Sequence, residues 1–596
     1  MNENQSGPPS TGASATKTFW TAPHLGVAAI CALTALAYAG TLRFQFVHDD
    51  RGQIVGNPAV HSWHAVPGYF TAHSWAAVAP TFLGNDYRPL FLLWLRINDA
   101  IFGNWVAGWH WSTVLAHVLA TYWVMVLAHR IFREWPAALF SGLIFGLHPI
   151  HIEGVAWISG VPEPLLAALL IPSYLCWVRF RESPAAARRW LGASLVLYTL
   201  ALLTKETAVV LPIILLIAEW WGHFRPAAPD RRQRMSARVQ AIKLLAPFFL
   251  LTAVYLAVRM MALRGFSHPA AQIGWLTVVL TWPSLLVFYL RLLLWPVGLN
   301  PFYGMRFVLH PTFRNAVLPT MVLVLAALGL WRWGTLSRSI ALVVPWLIVP
   351  VLPVLDIQVF GDGNFAHNRY LYLPSVGFSM LAAAALRKMK FGRPTWEGVP
   401  SSQAVACLAL GLLMAFAVQV EDRYYANDAT FYSFAYSRMG DHDPVIGMDF
   451  ANTLAEQGDF DRAAAIYDGI IRSHPGMWNA DFNLGYMYYQ EGKLESAVQY
   501  LTRAAAGDPG KASAVFYLGL ADFKLRRLDE AEAHLRRALA LAPAAANYHF
   551  ALGVVLKVEG NWGEAEQEFK RELALNPGHQ AAARQLAEIQ RHLTGK

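Results

Sequence analysis

APHLGVAAICALTALAYAGTLRFQFVHDDR occupies residues 22–51 and decides the fold. From Ala22 to Leu42 no Asp, Glu, Lys or Arg interrupts an apolar run, and about 20 helical residues suffice to cross a bilayer core. The run then returns to water at Phe-Val-His48-Asp49-Asp50-Arg51. An acidic side chain costs roughly 2.5–3.5 kcal/mol at the centre of a membrane helix. Asp49 and Asp50 must therefore face water or a polar cavity, which makes them functional-site candidates. The competing reading is a plain stop at the end of a helix.

Composition extends this reading to much of the chain. Of 596 residues, 55% are hydrophobic and only 15% charged, with 23 tryptophans; a soluble protein carries about 25% charged residues. The net charge of +9 does not point to nucleic acid, because the basic residues gather in short turns between apolar runs, the mark of membrane orientation. Cys31, Cys176 and Cys407 lie far apart inside apolar stretches, with neither metal-ligand spacing nor a disulfide framework. Residues 1–21, rich in Ser, Thr, Gly and Pro, read as a disordered cytoplasmic tail. Ala37-Tyr38-Ala39 has the small-x-small form of a leader cleavage site, but Lys17 alone precedes the run, so a retained helix is expected.

Apolar segments fall at 22–42, 109–131, 135–151, 160–180, 189–204, 206–223, 241–262, 315–333, 339–356, 370–387 and 401–420, about eleven crossings. Five turns carry the basic residues: Arg130/Arg133, Arg179/Arg181/Arg188/Arg189, Arg231/Arg232/Arg234/Arg238, Arg332/Arg338 and Lys388/Lys390/Arg393. Placing them in the cytoplasm puts the N-terminus inside and 43–108, 148–160, 204–206, 263–314, 357–369 and everything after 421 outside. Alternation then requires 274–297, with Pro283 and Arg291, to begin and end on the outer side, as an interfacial or re-entrant element. The segment 87–102 reads as an amphipathic helix along the surface, with Arg96 and Asp99 on a solvated face.

Beyond Glu421, with 421–444 expected as a linker, the chain changes character. Pro475, Pro509, Pro543 and Pro577 are 34 residues apart, as are Ala463, Ala497, Ala531 and Ala565; Gly485, Gly519 and Gly553 keep the same step. That period and pattern are the tetratricopeptide signature. Four repeats over 445–578 and a cap helix at 579–593 are expected within a repeat domain spanning 445–596. Such a stack offers a groove for an extended peptide or partner, or serves as a scaffold. Arg526-Arg527 and Arg536-Arg537 read as solvated surface. The fold class is all-α: a polytopic helix bundle followed by an α-solenoid.

The orientation collects the unusual polar residues on one face. These are Asp49-Asp50, Asp86-Tyr87-Arg88, His148-Pro149-Ile150-His151-Ile152-Glu153, Glu163, Lys205-Glu206 and His367-Asn368-Arg369-Tyr370. Together they suggest an outer polar cavity with acids for proton transfer and cations for an anion. His148, His151 and Glu153 could bind a metal, hydrogen-bond a phosphate or hydroxyl, or cap a helix; their spacing is not a standard zinc pattern, and Pro149 breaks a regular helical ligand face. Lys205-Glu206 reads either as a site pair or as a mutually satisfied ion pair. Arg369 reads as a site cation or as an interface anchor.

HDDRGQIVGNPAV (48–60), DYRPLFLLWLRINDAIFG (86–103), GLHPIHIEGVAWISG (146–160), LLTKETAVVLPIILL (202–216) and HNRYLYLPSVGF (367–378), in this order and with the repeats after them, resemble the transmembrane and tetratricopeptide-repeat protein O-mannosyltransferases. These belong to the GT-C class of polytopic glycosyltransferases. The chain departs from their usual Gly-Arg-Ala-Asp/Glu by reading Gly160-Val161-Pro162-Glu163. The resemblance implies a GT-C-like catalytic domain over 22–420, in a bacterial inner membrane with the repeats in the periplasm. It implies a polyprenyl-phosphate sugar donor and a Ser/Thr hydroxyl of a protein or peptide as acceptor. Asp49 is then the first choice for catalytic base, with Asp50 as supporting acid or the two reversed. His148, His151, Glu153, Glu163, Lys205, Glu206, Arg369 and, more weakly, Arg88 are implied for the donor's phosphate and sugar. One displacement implies inversion. No cofactor besides the lipid-linked donor is assigned, and neither residues nor resemblance assigns a divalent metal. Three other readings compete: transfer to a lipid or envelope glycan, a non-catalytic membrane scaffold for the repeats, and, weakly, a transporter, whose sites usually lie at mid-membrane.

Overall fold

The computed structural model describes residues 22–80, 84–183, 186–221, 239–240, 242–389, 394–396, 399–439 and 443–594. The tail 1–21 and the basic residues Arg231, Arg232, Arg234, Arg238, Lys390 and Arg393 lie outside these. Two compact units are formed, one up to Asn427 and one from Asp428 onward.

The first unit is a helix bundle, with one short ribbon of Pro394–Trp396 against Val399–Pro400. Among the described residues, eight of its helices are long and apolar enough to cross a membrane, or nine if the bent pair Trp135–Leu147 and Pro149–Val155, kinked by 49°, is one span. Three of the eleven expected crossings fall short of that length or apolarity. Ala187–Thr204 opens on Arg188-Arg189; Leu211–Trp220 has 10 residues behind a 3-10 turn; Pro374–Lys388 has 15. At 1.5 Å per residue, 15 residues cover about 22 Å. In Pro374–Lys388 the apolar Val376, Met380 and Ala383 are buried within the bundle.

The segment 274–297 is one helix, Trp275–Leu294, which by length and composition alone would qualify as a span. Its contacts run across the ends of its neighbours. Trp282 Nε1 donates to Leu355 O (2.8 Å), Ser284 Oγ to Asn315 O, and His148 Nε2 to Leu293 O (3.0 Å). Leu355 ends one candidate span, Asn315 opens another, and His148 follows Trp135–Leu147. Its middle and its C-terminal turn thus meet residues at the ends of three neighbouring helices. The expectation of an interfacial or re-entrant element is met by a helix that is itself long and apolar enough to cross a membrane.

Pro89–Phe102 is the expected amphipathic helix. Phe91, Leu92 and Leu95 join Ile54, Val60, Tyr69 and Trp109 in one cluster, while Ile97 and Ile101 stay exposed. The expectation of a solvated Arg96 and Asp99 is corrected. Arg96 is buried, donates to Val60 O (3.0 Å), pairs with Asp99 and lies 4.6 Å from the Trp63 ring centroid. Its guanidinium ties this helix to the loop before it.

The second unit contains the four expected helix pairs: Pro444–Glu456 with Phe460–Ser473, Trp478–Glu491 with Leu494–Gly507, Ala512–Lys524 with Leu528–Leu541, and Tyr548–Glu559 with Trp562–Leu575. Gln580–Thr594 caps them. The periodic alanines are fully buried, and a Cβ on Gly519 would stand 2.9 Å from the Leu535 side chain. The expected linker is corrected: Asp428–Met439 is a helix packed on the first repeat, with Phe431, Ala435 and Met439 buried.

Candidate active site

The two aspartates of the opening motif are separated by the local backbone. His48 adopts φ +50°, a left-handed conformation uncommon for a residue with a side chain. Around this turn Asp50 points inward and is fully buried. Its Oδ1 accepts from Ser159 N (2.8 Å) and Ser159 Oγ (2.5 Å), and its Oδ2 from Val47 N (3.2 Å). Burial pushes the Asp50 carboxyl up to about 7, against the opposing hydrogen bonds from Ser159 and Val47 and with a further push from Asp49. Asp49 instead lines a cavity, about one-third exposed, with its carboxylate 3.5 Å from His48 Nε2.

That cavity, of about 570 Å³, is within the range of small-molecule sites. Asp49, Asp86, Arg88, Ser159, Glu163, Lys205, Glu206 and Arg369 make its polar wall; Leu256, Leu352, Pro353, Val354, Val359 and Phe360 make an apolar flank. Arg88 holds Glu206 through Nε (3.1 Å) and an Nη (2.8 Å) and also reaches Asp86 (2.9 Å). Lys205 pairs with Glu163, across 42 residues of sequence. The reading of Lys205-Glu206 as a mutual pair is therefore corrected, since each takes a partner from elsewhere. Arg369 binds Glu153 twice, through its guanidinium and through its backbone N (3.0 Å). Its guanidinium also lies 5.4 Å from the Trp157 and Tyr370 ring centroids. Charge-assisted pairs of this kind fix side chains in place.

Asp49, Glu163, Lys205, Glu206, Arg369 and Arg88 thus share the cavity, with Glu153 directly behind Arg369. Asp50, His148 and His151 do not line it. His148 Nε2 donates to Leu293 O while its Nδ1 accepts from Ile150 N (3.2 Å). Ser375 Oγ donates to Tyr372 O, and so accepts from His151 Nε2 (2.7 Å). Both histidines are buried packing and capping groups. Pro149 terminates the preceding helix and turns the imidazoles into the bundle. Neither histidine can reach a phosphate in the cavity. With Glu153 engaged by Arg369, the three side chains do not converge as a metal site, and among the described residues no cluster of three or more His, Cys, Asp or Glu does.

Sequence reasoning missed Ser159, Trp157 and Arg259, all of which line the cavity. Arg259 was findable, as a cation inside the apolar run 241–262, because an ionisable residue at membrane depth marks a site by default.

The dolichyl-phosphate-mannose-protein mannosyltransferase family model matches residues 86–231, and two tetratricopeptide repeat models match 448–512 and 488–553. The protein O-mannosyl-transferase TMTC1 of Mus musculus is 25% identical over 573 residues, covering 77% of this chain and 59% of that protein. TMTC1 of Homo sapiens is 24% identical, covering 78% and 57%. The protein O-mannosyl-transferase Tmtc2 of Drosophila melanogaster is 32% identical over 295 residues, covering 46% and 30%. The chain spans less than three-fifths of the length of each of these relatives. With its membrane-type helix bundle followed by repeats, the chain is a tetratricopeptide-containing relative of the protein O-mannosyltransferases.

Proposed function

We propose that the chain is a membrane glycosyltransferase that moves a mannose-like sugar from a polyprenyl-phosphate donor to Ser or Thr hydroxyls of a protein, on the face of the membrane opposite the basic turns. The observation that carries this reading is the cavity itself, where a partly exposed carboxylate, a set of fixed cations and apolar side chains meet in a membrane-type bundle. A lipid-linked sugar has matching parts: a polar head, an anionic phosphate and an apolar tail.

Asp49 is the proposed general base. It takes the hydroxyl proton as the acceptor oxygen attacks the anomeric carbon. The bond from that carbon to the phosphate oxygen breaks, its electron pair leaves on the phosphate, and one displacement inverts the anomeric centre. The ion-paired Lys205, Glu163, Arg88, Glu206 and Arg369 orient the head of the donor, with Glu153 holding Arg369 from behind. Asp50, bound to Ser159, holds the turn that presents Asp49. In a bacterial cell the cavity and the repeats would face the periplasm, with the N-terminus in the cytoplasm.

The test is purified protein in proteoliposomes with polyprenyl-phosphate mannose and a Ser/Thr-rich acceptor, read by glycopeptide mass spectrometry. Asp49→Asn is expected to lower transfer by about 10²–10⁴-fold, the usual contribution of a positioned base. Undiminished glycopeptide from Asp49→Asn would remove Asp49 from the role, and no glycopeptide from the wild type would end the protein-acceptor reading.

A further inference from the structure

We infer that Arg259 is the seat of the donor's phosphate, an assignment that rests on the lipid-phosphate reading above. Arg88, Lys205 and Arg369 each hold a carboxylate at ion-pair distance. A phosphate beside any of them would also meet Glu206, Glu163 or Glu153. Arg259 lines the same cavity and differs from them. Its two terminal nitrogens donate to backbone carbonyls, Phe266 O (2.6 Å) and Asn85 O (2.9 Å), and among the described residues its buried Nε has no hydrogen-bond partner. Neutral carbonyls hold the guanidinium in place without cancelling its charge.

The support beneath it is itself fixed. Asn85 Nδ2 donates to His268 O (3.0 Å) and its Oδ1 accepts from His268 N (2.7 Å), which locks the external loop after Ala246–Leu263 onto the segment before Arg88. A guanidinium held by carbonyls rather than by an ion-paired carboxylate is suited to an oxyanion, since planar N–H groups match phosphate oxygens. Its position fits an amphipathic ligand as well. Leu256, one turn earlier on the same helix, belongs to the apolar flank with Val354 and Phe360. Arg259 stands at the junction between that flank and the polar wall, where the phosphate of a prenyl-phosphate sugar must lie.

The experiment compares binding of a short-chain polyprenyl phosphate with that of the polyprenol of equal length, both without sugar, to the full chain in detergent. Wild type is expected to prefer the phosphate. Arg259→Gln should weaken phosphate binding by about tenfold or more, the scale of a hydrogen bond to a charged group, and leave the alcohol unchanged. Asp356 is a lining carboxylate whose charge acts on Arg259. Asp356→Asn should therefore strengthen phosphate binding, a gain that misfolding does not produce. A wild-type preference retained in full by Arg259→Gln, or left unmoved by Asp356→Asn, overturns this assignment alone. Equal binding of phosphate and alcohol by the wild type overturns the lipid-phosphate reading and this assignment with it.

Discussion

At the scale of single residues the proposed chemistry turns on two adjacent aspartates given opposite environments. Asp49 looks into the cavity, whereas Asp50 is buried against Ser159. Burial raises the Asp50 carboxyl from 3.8 to about 7. A group whose folded value is raised contributes stability that is fully present below pH 3.8 and is lost as pH climbs to about 7, because only the unfolded chain releases the proton freely over that window. Asp50→Asn removes this titration. Melting temperatures of the two proteins, measured from pH 4 to 8, should therefore differ by an amount that changes with pH up to about 7 and is flat above it. A constant difference would mean that Asp50 titrates normally. The acid pair was legible in the sequence because charge at the end of an apolar run has few places to go. Which acid faces the cavity was not legible, since it depends on the left-handed turn at His48 and on a partner 109 residues away.

At the scale of elements the site is a set of clamps between helix ends. Glu153 is fully buried and Arg369 about one-quarter exposed, so their removal is not symmetric. Arg369→Ala leaves a buried carboxylate uncompensated and should cost about 3–5 kcal/mol. Glu153→Gln frees a guanidinium that can turn toward the cavity and should cost less. The double variant should recover most of the Arg369→Ala loss, a coupling that a double-mutant cycle by chemical denaturation measures directly; additive losses would show that the pair is not a clamp. The turn carrying Ser159 adds a second constraint. A Cβ on Gly160 would stand 2.2 Å from Glu153 O and 3.1 Å from Gly154 Cα, both backbone. Gly160→Ala must therefore part the two turns that hold Glu153 and Ser159. Transfer activity should fall at least tenfold, by the misplacement argument for catalytic groups, and wild-type activity in this variant would refute the tight packing. Elements were only partly legible in the sequence. The 34-residue period specified every repeat helix because the same small residue recurs at each close approach. The membrane runs were less definite, because an apolar stretch reports burial without saying whether lipid or protein covers it. Ala187–Thr204, Leu211–Trp220, Pro374–Lys388 and Trp275–Leu294 were the places where that ambiguity mattered.

At the scale of the whole molecule, the candidate site and the repeats lie in separate compact units. Every described residue that lines the cavity comes from the first unit. The sequence had implied this division through its change of composition after Glu421, although it missed the helix Asp428–Met439 that begins the second unit. If the repeats select the protein acceptor while the bundle performs transfer, the two functions should separate on truncation. A chain ending at Asn427 keeps all the cavity residues. With polyprenyl-phosphate mannose as donor, it should glycosylate a short Ser/Thr peptide at a rate within a few-fold of the full chain, since the proposed acid–base assistance comes from Asp49. Transfer to a folded protein acceptor should fall by an order of magnitude or more, through loss of the effective concentration that a tethered binding surface supplies. The same comparison with Asp49→Asn in the full chain should show both acceptors lost together. Equal loss of peptide and protein transfer on truncation, with the shortened chain still folded by its melting curve, would place the repeats in the catalytic step. Equal retention would leave them as a scaffold.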